Sequence, residues 1–245
     1  MNTILHPDMT IGEVVAHHYQ TAEVFSRHGI DFCCGGKKSL ARACAEKDIA
    51  WENLAVELDQ ALRSPEMPSQ NTDKWEPDFL AEYIVQTHHK YLYETLPLLR
   101  GYTEKIARVH GARHPELKVV EKQVELLAGD LLEHMAKEEN VLFPYIKTLC
   151  AARREHSPAP SMPFGSVQNP ISMMEHEHGY AGSLLDNLRE LTNGFTPPED
   201  ACTTYRVAFA RLKELDEDLR WHVHLENNIL FPKAILIEQM LGNQN

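Results

Sequence analysis

Basic residues, glycine, paired cysteines and long apolar runs are all scarce in this sequence, and each shortage excludes something. Lys and Arg number 24 against 36 Asp and Glu, a formal net charge of −12 at pH 7. Nucleic-acid binding wants a basic surface, so nucleic acid is excluded as a partner. An anionic membrane surface is disfavoured for the same reason. No stretch of 18 apolar residues occurs, so no transmembrane helix is expected. The opening "MNTILHPDMTIGEVV" has neither the basic nor the apolar part of a secretory signal, and the expected location is the cytoplasm. The cysteines (33, 34, 44, 150 and 202) are odd in number and irregular in spacing. That is not a secreted disulfide framework. Glycine is low at 12 residues, and strand-like alternation is scarce. No flavin or nicotinamide fingerprint is present. What the chain has in excess is histidine, 14 in 245 residues, a residue suited to metal and proton chemistry.

Helical signals dominate. Thr10 and Glu13 have capping-box spacing ahead of "VVAHHYQTAEVFSRHG", and Gly29 suits the helix end. A turn, "IDFCCGGKK", leads to a short helix near 39–46 and a third near 50–63. Residues 1–63 thus read as a small three-helix unit with a thin core. The Pro- and Ser-rich stretch 64–77 reads as a linker. Four long helices follow within 78–245, near 78–110, 115–150, 170–193 and 198–241. Pro97 and Gly101 are expected to kink the first, Pro144 to bend the second, and "TPPED" to open the fourth. Four helices with three connections make an all-α, up-down-up-down four-helix bundle the economical arrangement.

Two stretches of that bundle repeat. "DLLEHMAKEENVLFP" (130–144) aligns with "DLRWHVHLENNILFP" (218–232). Asp130 matches Asp218, His134 matches His222, Glu138 matches Glu226 and Asn140 matches Asn228. A His and a Glu four residues apart share one helix face. Aspartate four residues before each His is placed to accept its second ring N–H. The other two long helices offer His88 and His89, and His176 and His178. Residue type leaves these alternatives open, but His89 to His134 spans 45 residues and His178 to His222 spans 44. Four imidazoles and two carboxylates suit two iron ions bridged by the glutamates. One HxxxE alone is ordinary helix surface; two in a matched frame, each with a His upstream, are hard to explain that way.

With "DFCCGGKKSLARAC" ahead of it, the doubled pattern resembles the Repair of Iron Centres family, in which a hemerythrin-like four-helix bundle follows a small CCGG domain. The resemblance covers about residues 10–240. It implies a di-iron protein that repairs iron–sulfur clusters after nitrosative or oxidative damage, by supplying or mobilising iron. It implies ligands His89, His134, Glu138, His178, His222 and Glu226, with an oxo bridge besides the bridging Glu138 and Glu226. Glu177 falls in a family position near the iron; His224 and Glu139 fall in none. Clients would be damaged iron–sulfur proteins, and the family implies a homodimer. The stretch "CAARREHSPAPSMPFGSVQ" is longer than the family pattern. Two other functions fit a di-iron centre: reduction of nitric oxide or peroxide, and reversible gas binding or sensing. The last usually takes five histidines, and four stand at matched positions. Turnover chemistry is therefore left open, with repair preferred over an enzyme.

Cys33 and Cys34 are adjacent, so a disulfide between them would close a strained ring. Gly35 and Gly36 keep the backbone open to close approach. Lys37, Lys38 and the start of the following helix are expected to favour thiolate. Cys33 and Cys34 thus read as a redox or iron-handling dithiol, against the plainer reading of two small buried residues.

Overall fold

The structure, a computed structural model, describes residues 5–63, 71–161 and 163–242. Its described elements are helical, with one isolated bridge between Thr10 and Ser39. The all-α expectation holds. Of the expected linker, 64–70 lie outside the described residues. Thr72–Lys74 form a short 3-10 turn, and Pro77 already begins a helix.

The chain divides into two compact units. One comprises Ala81–Thr148 and Ser161–Arg220. The other gathers the chain up to Leu80, Leu149–Pro160 and the chain from Trp221 onward.

The first of these is the four-helix body. Its helices are α6 (Lys90–His110), α7 (Leu117–Lys137), α9 (Gln168–Leu191) and α10 (Thr203–Leu225), of which α10 runs on past the unit's last residue. Each buries one stripe at three- and four-residue spacing. On α6 it is Leu92, Leu96, Leu99 and Ile106; on α7 Val120, Val124, Leu127 and Leu131; on α9 Ile171, Met174, Leu184 and Leu188; on α10 Tyr205, Phe209, Leu212, Leu215 and Leu219. Each such side chain contributes about 1.5–3 kcal/mol on burial. The fully buried Asp216 is paired with Arg189 and Arg220.

The other unit contains four helices of the N-terminal region: α1 (Ile11–His17), α2 (Thr21–Arg27), α3 (Leu40–Lys47) and α4 (Trp51–Leu62). The Thr10–Glu13 capping box is present in both directions. The expected single first helix is broken at His18, whose carbonyl accepts from the Thr21 hydroxyl at 2.7 Å and so starts α2 separately. Gly29 takes φ +62° past the end of α2. The N-terminal region has four described helices, not three, and the unit's core is not made by that region alone. Beside Ile11, Val14, Phe25, Leu40, Leu54 and Leu58 it draws on Ile229, Leu230 and Phe231, and α11 (Phe231–Gly242) adds Ala234 and Ile237. About 60 residues by themselves make only a marginal core.

Three helix interruptions depart from the expected pattern. α5 (Pro77–Ile84) passes into α6 through a π-helical turn at Val85–His89, whereas α6 runs unbroken through Pro97. A second π turn, Glu138–Leu142, joins α7 to α8 (Phe143–Glu155), and a third, Glu226–Leu230, joins α10 to α11. Pro144 and Pro232 each follow the first residue after such a turn. A proline lacks the N–H for the carbonyl four residues back, and a widened turn accommodates that loss. Pro198 does not open the fourth long helix, which begins at Thr203. α8 continues to Glu155 and α9 begins at Gln168, which trims the long connection from both ends.

Candidate metal centre

All three π turns carry expected ligands. His89 ends the first; Glu138 opens the second and Glu226 the third. In the four-helix body, His89, His134, Glu138 and His178 are all buried, Glu138 completely. The Nε2 atoms of His89 and His134 each lie 3.4 Å from Glu138 Oε2. His134 Nε2 faces His178 Nε2 at 2.9 Å. Two ring nitrogens that converge this closely are set to share one electrophile, a proton or a cation. In the other unit, His222 Nε2 lies 3.0 Å from Glu226 Oε1, both groups buried.

The outer ring nitrogens show why the Nε2 atoms are the ones directed inward. Glu139 accepts from His89 Nδ1 at 2.8 Å and from the Tyr93 hydroxyl at 3.2 Å. Glu177 accepts from His134 Nδ1 at 2.8 Å and from Lys137 Nζ at 2.7 Å. A proton held on Nδ1 leaves Nε2 as the bare, metal-binding nitrogen, and the carboxylate raises its basicity. Burial works to raise the Glu177 carboxyl, but Lys137 and His134 outweigh it and hold the group below the usual range.

The alternatives left open by residue type separate here. His88 donates its Nδ1 proton to Asp218 at 2.9 Å and packs edge-on against Tyr83. His176 is exposed where His178 is buried. The expected roles of the two aspartates are corrected. Asp130 is exposed on α7, and the partner of His134 is Glu177, from α9. The partner that the structure gives Asp218 is His88. An intrahelical aspartate at i−4 points along its own helix surface, while the ring edge of a buried His is met from a neighbouring helix. Glu139, set aside in the sequence, is the acceptor for His89; a widened turn at 138–142 is not visible in a 3.6-residue period.

The matched asparagines also diverge. Asn140 turns back on its own helix and donates to the Ala136 carbonyl at 2.6 Å. Asn228 instead donates to the carbonyls of Phe32 and Cys33 at 3.3 and 3.1 Å. His224, 0% exposed, lies with it: Nδ1 is 3.4 Å from the Phe32 carbonyl, and the ring stacks on Trp221. Burial lowers its pKa to about 4, so the imidazole is neutral. The third π turn and the end of α10 therefore hold the CCGG loop.

Within that loop Asp31 is the organiser. Its Oδ1 accepts from the Cys33 and Cys34 amides at 2.9 and 3.1 Å, and its Oδ2 from Gly35 at 2.9 Å. Both cysteines are reduced and outside any disulfide, with sulfurs 3.8 Å apart. The expected thiolate does not arise at Cys33. Its hydrogen bond to Cys34, then burial, then the negative charge of Asp31 push this thiol well above the usual range. Lys38 is taken by Glu46 at 2.6 Å, and the N-cap of α3 by the Ser39 hydroxyl.

Comparison with known proteins points the same way. Residues 80–234 match the model of the hemerythrin HHE cation binding domain, and residues 7–62 match ScdA_N, a domain of unknown function (DUF542). The iron-sulfur cluster repair protein YtfE of Citrobacter koseri is 35% identical over 231 residues, spanning 93% of this chain and 97% of that protein. The proteins of the same name from Escherichia coli and Pectobacterium atrosepticum are 36% and 35% identical over the same length.

Proposed function

This chain belongs to the Repair of Iron Centres family, and from that premise we propose that it restores damaged iron–sulfur clusters with iron held at a dinuclear centre. The observation that carries the reading is the buried, tautomer-fixed donor set. His89, His134 and His178 converge about the fully buried Glu138, and His222–Glu226 repeats the His–Glu pair. Imidazole and carboxylate donors in this ratio fit ferrous or ferric iron. We assign His89, His134, Glu138, His178, His222 and Glu226 as the ligands, with Glu138 and Glu226 bridging. Bound there, the two ions supply a reservoir of exchangeable iron and redox chemistry.

The protein's own part is to place and release that iron. Glu139 and Glu177 keep the protons of His89 and His134 on the outward nitrogens. The π turns project Glu138 and Glu226 at points where the helix backbone is already widened. A five-histidine gas-binding set is disfavoured by where the spare histidines go: His88 to Asp218, His176 to the exposed surface, His224 to the CCGG loop.

Two results are expected. First, Glu139→Ala and Glu177→Ala each weaken iron retention about 10–100-fold in a competition with a chelator, the usual effect of losing a ligand's supporting carboxylate. Asp130→Asn leaves retention unchanged. Equal loss in all three variants would remove the tautomer argument. Second, the ferrous protein, mixed without oxygen with an enzyme whose cluster was damaged by peroxide, restores that enzyme with no nitric oxide present. Iron leaves the repair protein in step. Recovery that requires nitric oxide would instead favour chemistry on that gas.

A further inference from the structure

The CCGG loop holds a second cluster of metal-binding side chains that the dinuclear centre does not use. Asp31, Cys33 and Cys34 offer an oxygen and two sulfurs, all within 4.8 Å of one another. Their spacing is informative. Two thiolates on a tetrahedral ion with bonds of about 2.3 Å stand about 3.8 Å apart. The two sulfurs here are 3.8 Å apart. A carboxylate oxygen at about 2.1 Å from the same ion would lie about 3.6 Å from each sulfur; Asp31 Oδ1 is 3.0 Å from Cys33 Sγ, a little inside that distance.

The scaffold around these atoms is built rather than incidental. Asp31 is tied to the three following loop amides. The Phe32 and Cys33 carbonyls are held by Asn228, and the Gly36 carbonyl accepts from Gly12 N at 2.8 Å. A Cβ at Gly35 would meet the Asp31 carbonyl oxygen at 2.7 Å, and one at Gly36 would meet Asn228 Oδ1 at 2.3 Å. Glycine is what lets this backbone close around the dithiol. The exposed Asp31 and half-buried Cys34 open the cluster to the surface, while Cys33 lines its inner side.

We propose that Asp31, Cys33 and Cys34 form a second cation site, which takes one thiolate-preferring divalent ion, ferrous iron or zinc, and leaves a fourth position for water or an incoming thiolate. Two sulfurs select against magnesium and calcium. Binding replaces the protons of both thiols with the metal, so two protons leave per ion; no electron is transferred. The site stands whether or not the dinuclear reading holds.

The test uses the full-length, reduced protein with its resident iron in place, titrated with Co²⁺ without oxygen. One equivalent is expected to produce sulfur-to-cobalt charge-transfer absorption in the near ultraviolet and to release two protons. Imidazole and carboxylate ligands give no such absorption, so cobalt entering the bundle is distinguishable, and failure of the dinuclear reading would show in iron content alone. Cys34→Ser abolishes the absorption, and Asp31→Asn, which keeps an acceptor but drops the charge, weakens binding about tenfold or more. Absent absorption with the thiols confirmed free, or absorption that survives Cys34→Ser, overturns the proposal. Should Cys34→Ser fail to fold, alkylation of Cys34 in the unaltered protein decides: slowing by Zn²⁺ supports the site and an unchanged rate overturns it.

Discussion

Glu226→Ala is expected to purify as a folded, helical protein that has lost most of its iron, from about two ions per chain to well under one. Glu226 is fully buried at the start of a π turn, with His222 Nε2 3.0 Å from its Oε1. Losing a group that merely supports a ligand costs about 10–100-fold in metal affinity; losing a carboxylate assigned to bridge both ions costs more, because each ion loses a donor. The fold is expected to survive, since removing a buried carboxylate also removes its desolvation cost. Glu138→Ala should behave alike, because it occupies the corresponding place in the other repeat. His224→Ala supplies the contrast. It lies two residues from both members of the His222–Glu226 pair yet meets the CCGG loop, and should retain two ions. Iron and protein assays on the same samples decide this. Two ions retained in both glutamate variants would sink the ligand assignment.

Gly36→Val is expected to open the CCGG loop and expose Cys33. A Cβ at Gly36 would stand 2.3 Å from Asn228 Oδ1 and 2.9 Å from its Nδ2, and valine's branch cannot swing clear. Asn228 must leave, and its two hydrogen bonds to the Phe32 and Cys33 carbonyls go with it. Each bond contributes about 0.5–1.5 kcal/mol, and the overpacking costs a further 1–3 kcal/mol. Together these come to about 2–6 kcal/mol, and even about 3 kcal/mol, toward the low end, is about two powers of ten in the opening equilibrium. Cys33 is 4% exposed with its thiol pKa raised, so in the unaltered protein Cys34 alkylates first and Cys33 slowly. In Gly36→Val the Cys33 rate should rise roughly a hundredfold, in line with that equilibrium. The assay is mass spectrometry of each labelled cysteine. A Cys33 rate within a factor of about two of the unaltered protein's, a change worth less than half a kcal/mol, would show that Asn228 does not hold the loop.

These two variants mark what could be read in advance and what could not. The doubled His–Glu frame was legible because two ligands on one helix need a spacing near one turn, and a repeat of fifteen residues is hard to mistake for helix surface. The supporting groups were misjudged for the opposite reason. Glu139 and Glu177 act across helices, on His89 and His134, while the aspartates four residues upstream, equally plausible along the chain, go elsewhere. The CCGG motif announced close approach, but its reactive state was misread. The nearby lysines suggested thiolate, whereas the hydrogen bond to Cys34, burial and Asp31 push the Cys33 thiol up and Lys38 is occupied by Glu46.

By itself the sequence determined the helical class, the repeat and the identities of the paired residues, because these depend on periodicity along one chain. Only the tertiary structure decided which ring nitrogen of each histidine faces inward, that His88 and His224 are engaged elsewhere, and that Asn228 clamps the cysteine loop while its twin Asn140 bonds back to its own helix. Those outcomes depend on which side chain of another element reaches a given atom, and three widened helix turns shift that pairing by a residue in ways no single-helix period records.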